Sequence, residues 1–263
     1  MDIIKTIILG IIQGLTEWLP ISSTGHLKIA EHFMNEKLPL LFDFILHIGT
    51  LIVVLLFFRR DIKNILSALV RLDFKTEHGK LVPLIVVGSI SAGIIGIILN
   101  EPVNTAFQNI LPIAVAFVLC GTMLCSTKFA HEKTDAIGYS AAVLVGVVEG
   151  IAIIPGISRS GATIAVALLL GIRHEKAFKF SFLLSIPAIL SVLGYNFVEK
   201  SGELASAGLG WSEILIGVIV AMFIGYFALK LLWKVLRKKK FHLFAFYCWL
   251  LGTALIILSL RGF

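Results

Sequence analysis

Charge is scarce in this sequence. Only 15% of its 263 residues are Asp, Glu, Lys or Arg, while 58% are hydrophobic, and the mean hydropathy is +0.97. A soluble core needs no such excess of apolar sequence, so a soluble protein is excluded in favour of a polytopic membrane protein. Cysteine is scarcer still. Cys120, Cys125 and Cys248 each lie inside an apolar stretch, which leaves no disulfide framework or zinc-type Cys/His spacing and reads as packing. There is no P-loop and no dinucleotide fingerprint. The apolar start carries Gln13 and Glu17 and has no small-residue cleavage site, so a cleavable signal peptide is not expected. The formal charge of +7 does not point to nucleic acid. Most Lys and Arg fall in short loops beside apolar stretches, where they report topology across a bilayer.

What the sequence does contain is a duplication. Gly10-Ile-Ile-Gln-Gly-Leu-Thr-Glu-Trp-Leu-Pro-Ile-Ser-Ser-Thr-Gly25 aligns without a gap on Gly146-Val-Val-Glu-Gly-Ile-Ala-Ile-Ile-Pro-Gly-Ile-Ser-Arg-Ser-Gly161, at a constant offset of 136 (146 − 10). Gln13 meets Glu149, Ser22 meets Ser158, and Thr24 meets Ser160. The offset persists where Phe42 and Phe44 meet Phe178 and Phe180. A repeat in so apolar a chain predicts a duplicated all-α membrane fold with a site where the copies meet. Residues 1–263 then form one membrane domain, with repeat 1 at about 1–127 and repeat 2 at about 137–263.

Helices are expected over 3–19 and 137–155, each stopped by a proline, Pro20 or Pro155, and each followed by a short helix to about residue 33 or 171. Apolar spans follow at 41–58, 81–99, 110–127, 177–197, 212–233 and 243–260, with a polar segment over 59–80. If 3–19 and 137–155 crossed fully, the basic stretches 59–80 and 230–240 would fall on opposite sides, against the positive-inside tendency. If 3–33 and 137–171 are instead re-entrant hairpins, six full spans remain, and loops 59–80, 128–135, 172–176 and 230–240 share one side. We therefore expect a helical bundle of two inverted-topology repeats whose hairpin tips meet mid-membrane, with both termini outside. Irregular backbone at that depth must be buried in protein or line a polar cavity.

The polar residues of the hairpins carry the chemistry. Gln13 and Glu17 are one helical turn apart and share a face. A carboxylate in an apolar helix is costly unless paired or solvated, and so is functional by default; the structural alternative is that Glu17 pairs with Arg159 to hold the hairpins together. Ser22, Ser23 and Thr24 follow Pro20, and capping explains only one of the three hydroxyls. His26, one turn past Ser23, is a candidate general base, general acid or nucleophile. In the second hairpin, Pro155-Gly156-Ile157-Ser158-Arg159-Ser160-Gly161-Ala162-Thr163 is a loop running into a helix start, a natural anion site, phosphate above all. Asp43 and His47, one turn apart, are weaker candidates that would extend the site, and Glu149 is expected to line the cavity. His32, His78, His131, His174 and His242 read as surface residues.

These residues resemble the undecaprenyl-diphosphate phosphatase family, the bacitracin-resistance phosphatases. Its first motif, E/Q-x-x-x-E into P-x-S-S-x-G-H, reads here as Gln13, Glu17 and Pro20 to His26. The second, P-G-x-S-R-S-x-x-T, reads as Pro155 to Thr163. Phe42-Asp43 through His47-Ile48-Gly49-Thr50, closed by Arg60-Asp61-Ile62, resembles the stretch between the motifs. The resemblance implies hydrolysis of undecaprenyl diphosphate to the monophosphate and inorganic phosphate, which recycles the carrier for cell-wall polymers and confers bacitracin resistance. It also implies a multi-pass protein of the cytoplasmic membrane, a site opening to the outer face, and a divalent cation, Mg²⁺ or Ca²⁺. Carried over, Glu17 would serve the metal or a proton transfer, and Ser23 or His26 the nucleophilic step. Arg159 with Ser22, Ser158, Ser160 and Thr163 would bind the phosphate groups. Gln13 departs from the commoner Glu while the second repeat supplies Glu149, so Gln13, Glu17 and Glu149 are together the candidate metal or cavity residues. A homodimer is the expected assembly. The competing class is a lipid-carrier flippase or anion transporter, which uses the same architecture.

Overall fold

A computed structural model describes residues 3–34, 40–206 and 210–261; the side chains at 40–41, 43–44 and 195–206, those of Asp43 and Phe44 included, lie outside the description. The described residues form eleven α-helices and no strand. The helices are α1 (Ile3–Trp18), α2 (Ser23–Met34), α3 (Leu40–Phe57), α4 (Arg59–Val70), α5 (Leu81–Ala106), α6 (Ile110–Ser126), α7 (Tyr139–Ile151), α8 (Arg159–Leu169), α9 (His174–Ser206), α10 (Trp211–Arg237) and α11 (Phe244–Leu260). Five stretches are long and apolar enough to cross a bilayer: Leu81–Ala106, Ile110–Phe129, His174–Gly194, Trp211–Arg237 and Phe241–Leu260. The sixth expected span is the 18-residue α3, of which the shorter stretch Ile45–Phe57 is counted as an apolar helix. On α5, Val86, Ile90, Ile94 and Ile97 form an exposed apolar stripe, as expected of a surface that meets lipid or another protein.

Two expectations need correction. The segment 59–80 is not all loop. Its charged start opens α4, whose Ile62, Ile65 and Ala68 sit at helical spacing and turn toward the core. The helix expected to reach 155 ends at Ile151, because the turn before Ile157 begins earlier. Gly156 in that turn has φ +99°, a conformation that suits glycine.

Neither short helix α1 nor α7 packs mainly within its own half of the chain. α1 lies along α10, and α7 lies along α5. Glycines make both approaches close: a Cβ at Gly14 would stand 2.6 Å from the Ala221 carbonyl oxygen, and one at Gly146 would stand 2.2 Å from that of Gly88. Gly10 meets Gly217 and Gly150 meets Ala92 in the same way. The partner positions on α10 and α5 share one offset, 129 (217 − 88 and 221 − 92). With little hydrophobic drive between helices in lipid, such small-residue notches allow the backbone contact that holds them together.

The bundle core is aromatic. Phe178 and Phe182 stack at 4.5 Å between centroids, and Trp18 meets Phe182 at 5.3 Å. Phe42 and its repeat counterpart Phe178 are both fully buried. At one end of the bundle, ion pairs tie the basic loops together. Lys179 pairs with Asp61 and Lys176 with Glu77, Arg173 meets Asp135 at 3.1 Å, and Glu132 accepts from His174 Nδ1 at 2.8 Å and Lys239 Nζ at 2.7 Å. Lys239 and His174 hold the Glu132 carboxyl down to about 2. His174, expected at the surface, is thus nearly buried against Glu132, and His78 lies 3.2 Å from Asp61.

Candidate active site

The site begins with two helix starts. Pro20 and the turn after Ile151 break α1 and α7, and each chain re-enters a helix at a serine. Ser22 Oγ accepts from Gly25 N at 3.3 Å and Ser158 Oγ from Gly161 N at 3.1 Å, which makes both residues N-caps. The loops also hold each other. Ser22 Oγ accepts from Gly156 N at 3.0 Å, while Ser160 Oγ donates to the Trp18 carbonyl at 3.0 Å. Below them, Cys120 Sγ accepts from Ser158 N at 3.5 Å and Cys248 Sγ donates to the Pro20 carbonyl at 3.7 Å. The cysteines read as packing residues therefore also serve the loop backbones.

Glu17 is the hub. Its side chain is 4% exposed. Ser23 Oγ donates to Glu17 Oε2 at 2.6 Å, Gln13 Nε2 donates to the same oxygen at 3.2 Å, and His47 Nε2 stands 3.4 Å from it. Arg159 NH2 donates to Glu17 Oε1, and the guanidinium lies over the Trp18 ring, 5.6 Å from its centroid. The other nitrogen, Arg159 NH1, is buried without a hydrogen-bond partner. A narrow crevice is lined by Trp18, Arg159 and Ser160 on one side and by Ser181, Phe182 and Ser185 of α9 on the other. Thr163 Oγ1 bonds the Arg159 carbonyl at 2.8 Å and meets the Ser181 hydroxyl.

Of the residues singled out in the sequence, Gln13, Glu17, Ser23 and Arg159 come together, with Ser22 and Ser158 capping α2 and α8 beside them and Ser160 and Thr163 in the first turns of α8. His26 does not join Glu17: Nδ1 bonds the Ser22 carbonyl at 2.7 Å and Nε2 meets Tyr247 Oη at 2.6 Å. His47 meets Glu17 instead. The sequence placed it only as an extension of the site, and its one signal was a histidine early in an apolar span. Ser181, Ser185 and Tyr247 were missed, since hydroxyls on long apolar helices carry no local signature.

Among the described residues no three His, Cys, Asp or Glu side chains converge as a ready metal cage. Both carboxylate oxygens of Glu149 and Gln13 Oε1 are nonetheless buried without partners, and Glu149 lies within electrostatic reach of Arg159. Oxygen donors with at most two carboxylates suit Mg²⁺, which keeps waters and takes substrate phosphate oxygens as ligands. The unpartnered oxygens of Glu149 and Gln13 are donors of that chemical kind.

A polytopic helical bundle that buries an acid, a hydroxyl and a guanidinium between two capped loops is an integral-membrane protein with a buried polar cluster. Its lineage is plain: the chain belongs to the bacitracin resistance protein BacA family, whose model matches residues 6–254. It is 42% identical to the undecaprenyl-diphosphatase of Halothermothrix orenii, over 98% of this chain and 99% of that one. It is 38% identical to the undecaprenyl-diphosphatase of Desulforapulum autotrophicum, over 98% of both chains. A third protein of that name, from Methanosphaera stadtmanae, is 36% identical over 98% of this chain and 99% of its own.

Proposed function

We propose that this protein is a membrane-embedded undecaprenyl-diphosphatase, which releases inorganic phosphate from undecaprenyl diphosphate and returns the monophosphate carrier to cell-wall synthesis. Such activity underlies bacitracin resistance. The observation that carries the reading is the 2.6 Å bond from Ser23 Oγ to Glu17 Oε2 beside the Arg159 guanidinium. It is a nucleophile and base within reach of a phosphate-binding cation. Ser23 Oγ attacks the terminal phosphorus as its proton passes to Glu17, and the bond to the bridging oxygen breaks to release the lipid monophosphate. Water then cleaves the phosphoserine, and Ser23 recovers its proton. Arg159 and the backbone donors of α8 bind the developing charge, which is where most phosphoryl-transfer catalysis resides. Glu17 and Glu149, with Gln13 Oε1, would hold a divalent cation, Mg²⁺ or Ca²⁺. When bound, the ion neutralises charge on the diphosphate.

The same reading includes the topology. Two inverted repeats, with α1–α2 and α7–α8 as re-entrant hairpins, account for the exchanged packing of α1 on α10 and α7 on α5. The basic loops gathered at one end support placing that end in the cytoplasm, with both termini outside and the site open to the outer face of the cytoplasmic membrane. The prenyl tail stays in lipid while the headgroup enters between the hairpins. A homodimer is the proposed assembly.

The test is phosphate release from undecaprenyl diphosphate by purified protein in detergent, with and without EDTA, for wild type and Arg159→Ala. Release that needs metal and collapses in the variant is expected. A folded wild type that releases none would move the assignment to lipid or anion transport, which shares the fold but has no need of a base beside a hydroxyl.

A further inference from the structure

His26 is the one prominent residue of the first motif that does not touch Glu17, and the repeat supplies an internal comparison for it. Ser22 and Ser158 are counterparts, both N-caps, both followed by a glycine that donates to the cap hydroxyl. Their backbones differ. Ser158 has the ordinary extended cap conformation, φ −82°, whereas Ser22 is left-handed at φ +67°, a region a non-glycine residue enters only when its surroundings hold it there. The position 136 after His26 is Ala162. The copy with the strained cap is therefore the copy with the histidine. Both copies make the helical backbone bond to the cap carbonyl, His26 N to Ser22 at 3.2 Å and Ala162 N to Ser158 at 2.8 Å, and His26 adds a second grip, its ring Nδ1 at 2.7 Å from the Ser22 carbonyl.

A carbonyl only accepts, so Nδ1 carries the ring proton, and the remaining lone pair on Nε2 accepts the Tyr247 hydroxyl at 2.6 Å. The tyrosine ring stacks on the imidazole at 5.7 Å and Phe117 meets it edge-on at 5.3 Å. Both ring nitrogens are thus engaged, and the ring is wedged between α6 and α11. The next residue after the strained cap is Ser23, whose hydroxyl must be aimed at Glu17. We infer that His26 is a positioning residue, neither nucleophile nor base: with its Nδ1 proton on the Ser22 carbonyl and its ring held by Tyr247, it clamps that carbonyl and so holds the left-handed turn that points Ser23 at Glu17. This rests on the hydrolase reading above for its kinetic arm only.

The experiment has two arms. In the first, ring-¹⁵N histidine spectra are recorded for wild type, with His26 assigned by loss of its signals in His26→Asn. The expected signature is a neutral ring protonated at Nδ1; protonation at Nε2 overturns the proposal whether or not the protein hydrolyses anything. In the second, phosphate release is compared among His26→Asn, His26→Ala and Tyr247→Phe. The Asn amide can donate from the place of Nδ1 but has nothing at Nε2 and cannot serve as base or nucleophile. His26→Asn is expected to keep kcat within about tenfold of wild type. His26→Ala should lose about a hundredfold in kcat with little change in KM, the usual scale for a nucleophile misplaced by an ångström. Tyr247→Phe should lose less than about tenfold and keep the proton on Nδ1, where the Ser22 carbonyl holds it. If His26→Asn is as inactive as His26→Ala while eluting as folded protein, the imidazole itself does chemistry and the positioning role is wrong. A wild type without phosphatase activity defeats the hydrolase reading and leaves the tautomer arm to decide this one.

Discussion

The Glu17–Arg159 pair has two readings, a brace between hairpins and a piece of catalytic machinery, and one pair of substitutions separates them. The side chains are 4% and 18% exposed, so solvent screens them little. Breaking a buried ion pair from one side costs about 3–5 kcal/mol, because the remaining charge is left uncompensated. The lower end applies here. After Arg159→Met, Glu17 keeps its donors Ser23 and Gln13, with His47 at 3.4 Å; after Glu17→Gln, Arg159 still has Glu149 within electrostatic reach. Each single variant should therefore lose about 3 kcal/mol, roughly two orders of magnitude in the folded-to-unfolded ratio. The double variant Glu17→Gln/Arg159→Met leaves neither partner of the pair uncompensated and should recover most of that loss, with Glu149, which loses its nearby cation, accounting for the remainder. Stability is read by unfolding in mixed micelles with rising SDS, and activity by phosphate release on the same samples. All three variants should lose about a thousandfold in rate or more, the scale of an arginine that stabilises a transferring phosphoryl group. Recovery of activity together with stability in the double variant would refute the catalytic role and leave the pair as a brace.

Three further outcomes are expected. Gly146→Ala drives a Cβ to 2.2 Å from the Gly88 carbonyl oxygen and should cost about 1–3 kcal/mol by overpacking; an unchanged micellar unfolding midpoint would mean α7 does not rest on α5 this closely. Glu132, held at about 2 by Lys239 and His174, has a folded pKa below its unfolded value of about 4.3. Its stabilisation is present above about pH 4.3 and is lost as pH falls toward 2. The stability gap between wild type and Glu132→Gln should be present at about pH 5 and close below about pH 4, and a gap that widens as pH falls from about 4 toward 2 contradicts the pairing. Glu149→Gln should raise the Mg²⁺ concentration for half-maximal phosphate release by about tenfold or more, and an unshifted titration would remove Glu149 from the proposed metal ligands.

The two loops were readable in the sequence because their causes are local. Pro20 stops α1 two residues after Trp18, the Gly156 turn separates α7 from α8, and a serine caps the next helix in each copy. The register of Gln13 and Glu17 also follows from helical spacing alone, and the structure does place Gln13 Nε2 on Glu17 Oε2. The two histidines were not readable. His26 lies nearer to Glu17 in sequence than His47 does, yet the strained turn at Ser22 directs its ring to Tyr247, and the packing of α3 carries His47 to the carboxylate. The helix over Arg59–Val70 was hidden because its charged first turn resembles a loop and its apolar positions show only once the partner surface is known.

By itself, then, the sequence determined the solvent of this protein and the chemistry it would carry. Backbone groups cannot be left unpaired in lipid, and apolar runs this long and continuous, not alternating, satisfy them as helices; the duplicated Pro-Ser-Gly break then places two capped loops among them. Tertiary structure decided which residues share the site. Ser22 meets Gly156, Glu17 meets Arg159, and His26 meets Tyr247 across sequence separations of 134, 142 and 221. Contacts so distant depend on how α1 and α7 seat on glycine notches in the opposite half of the chain, and no local preference encodes that seating.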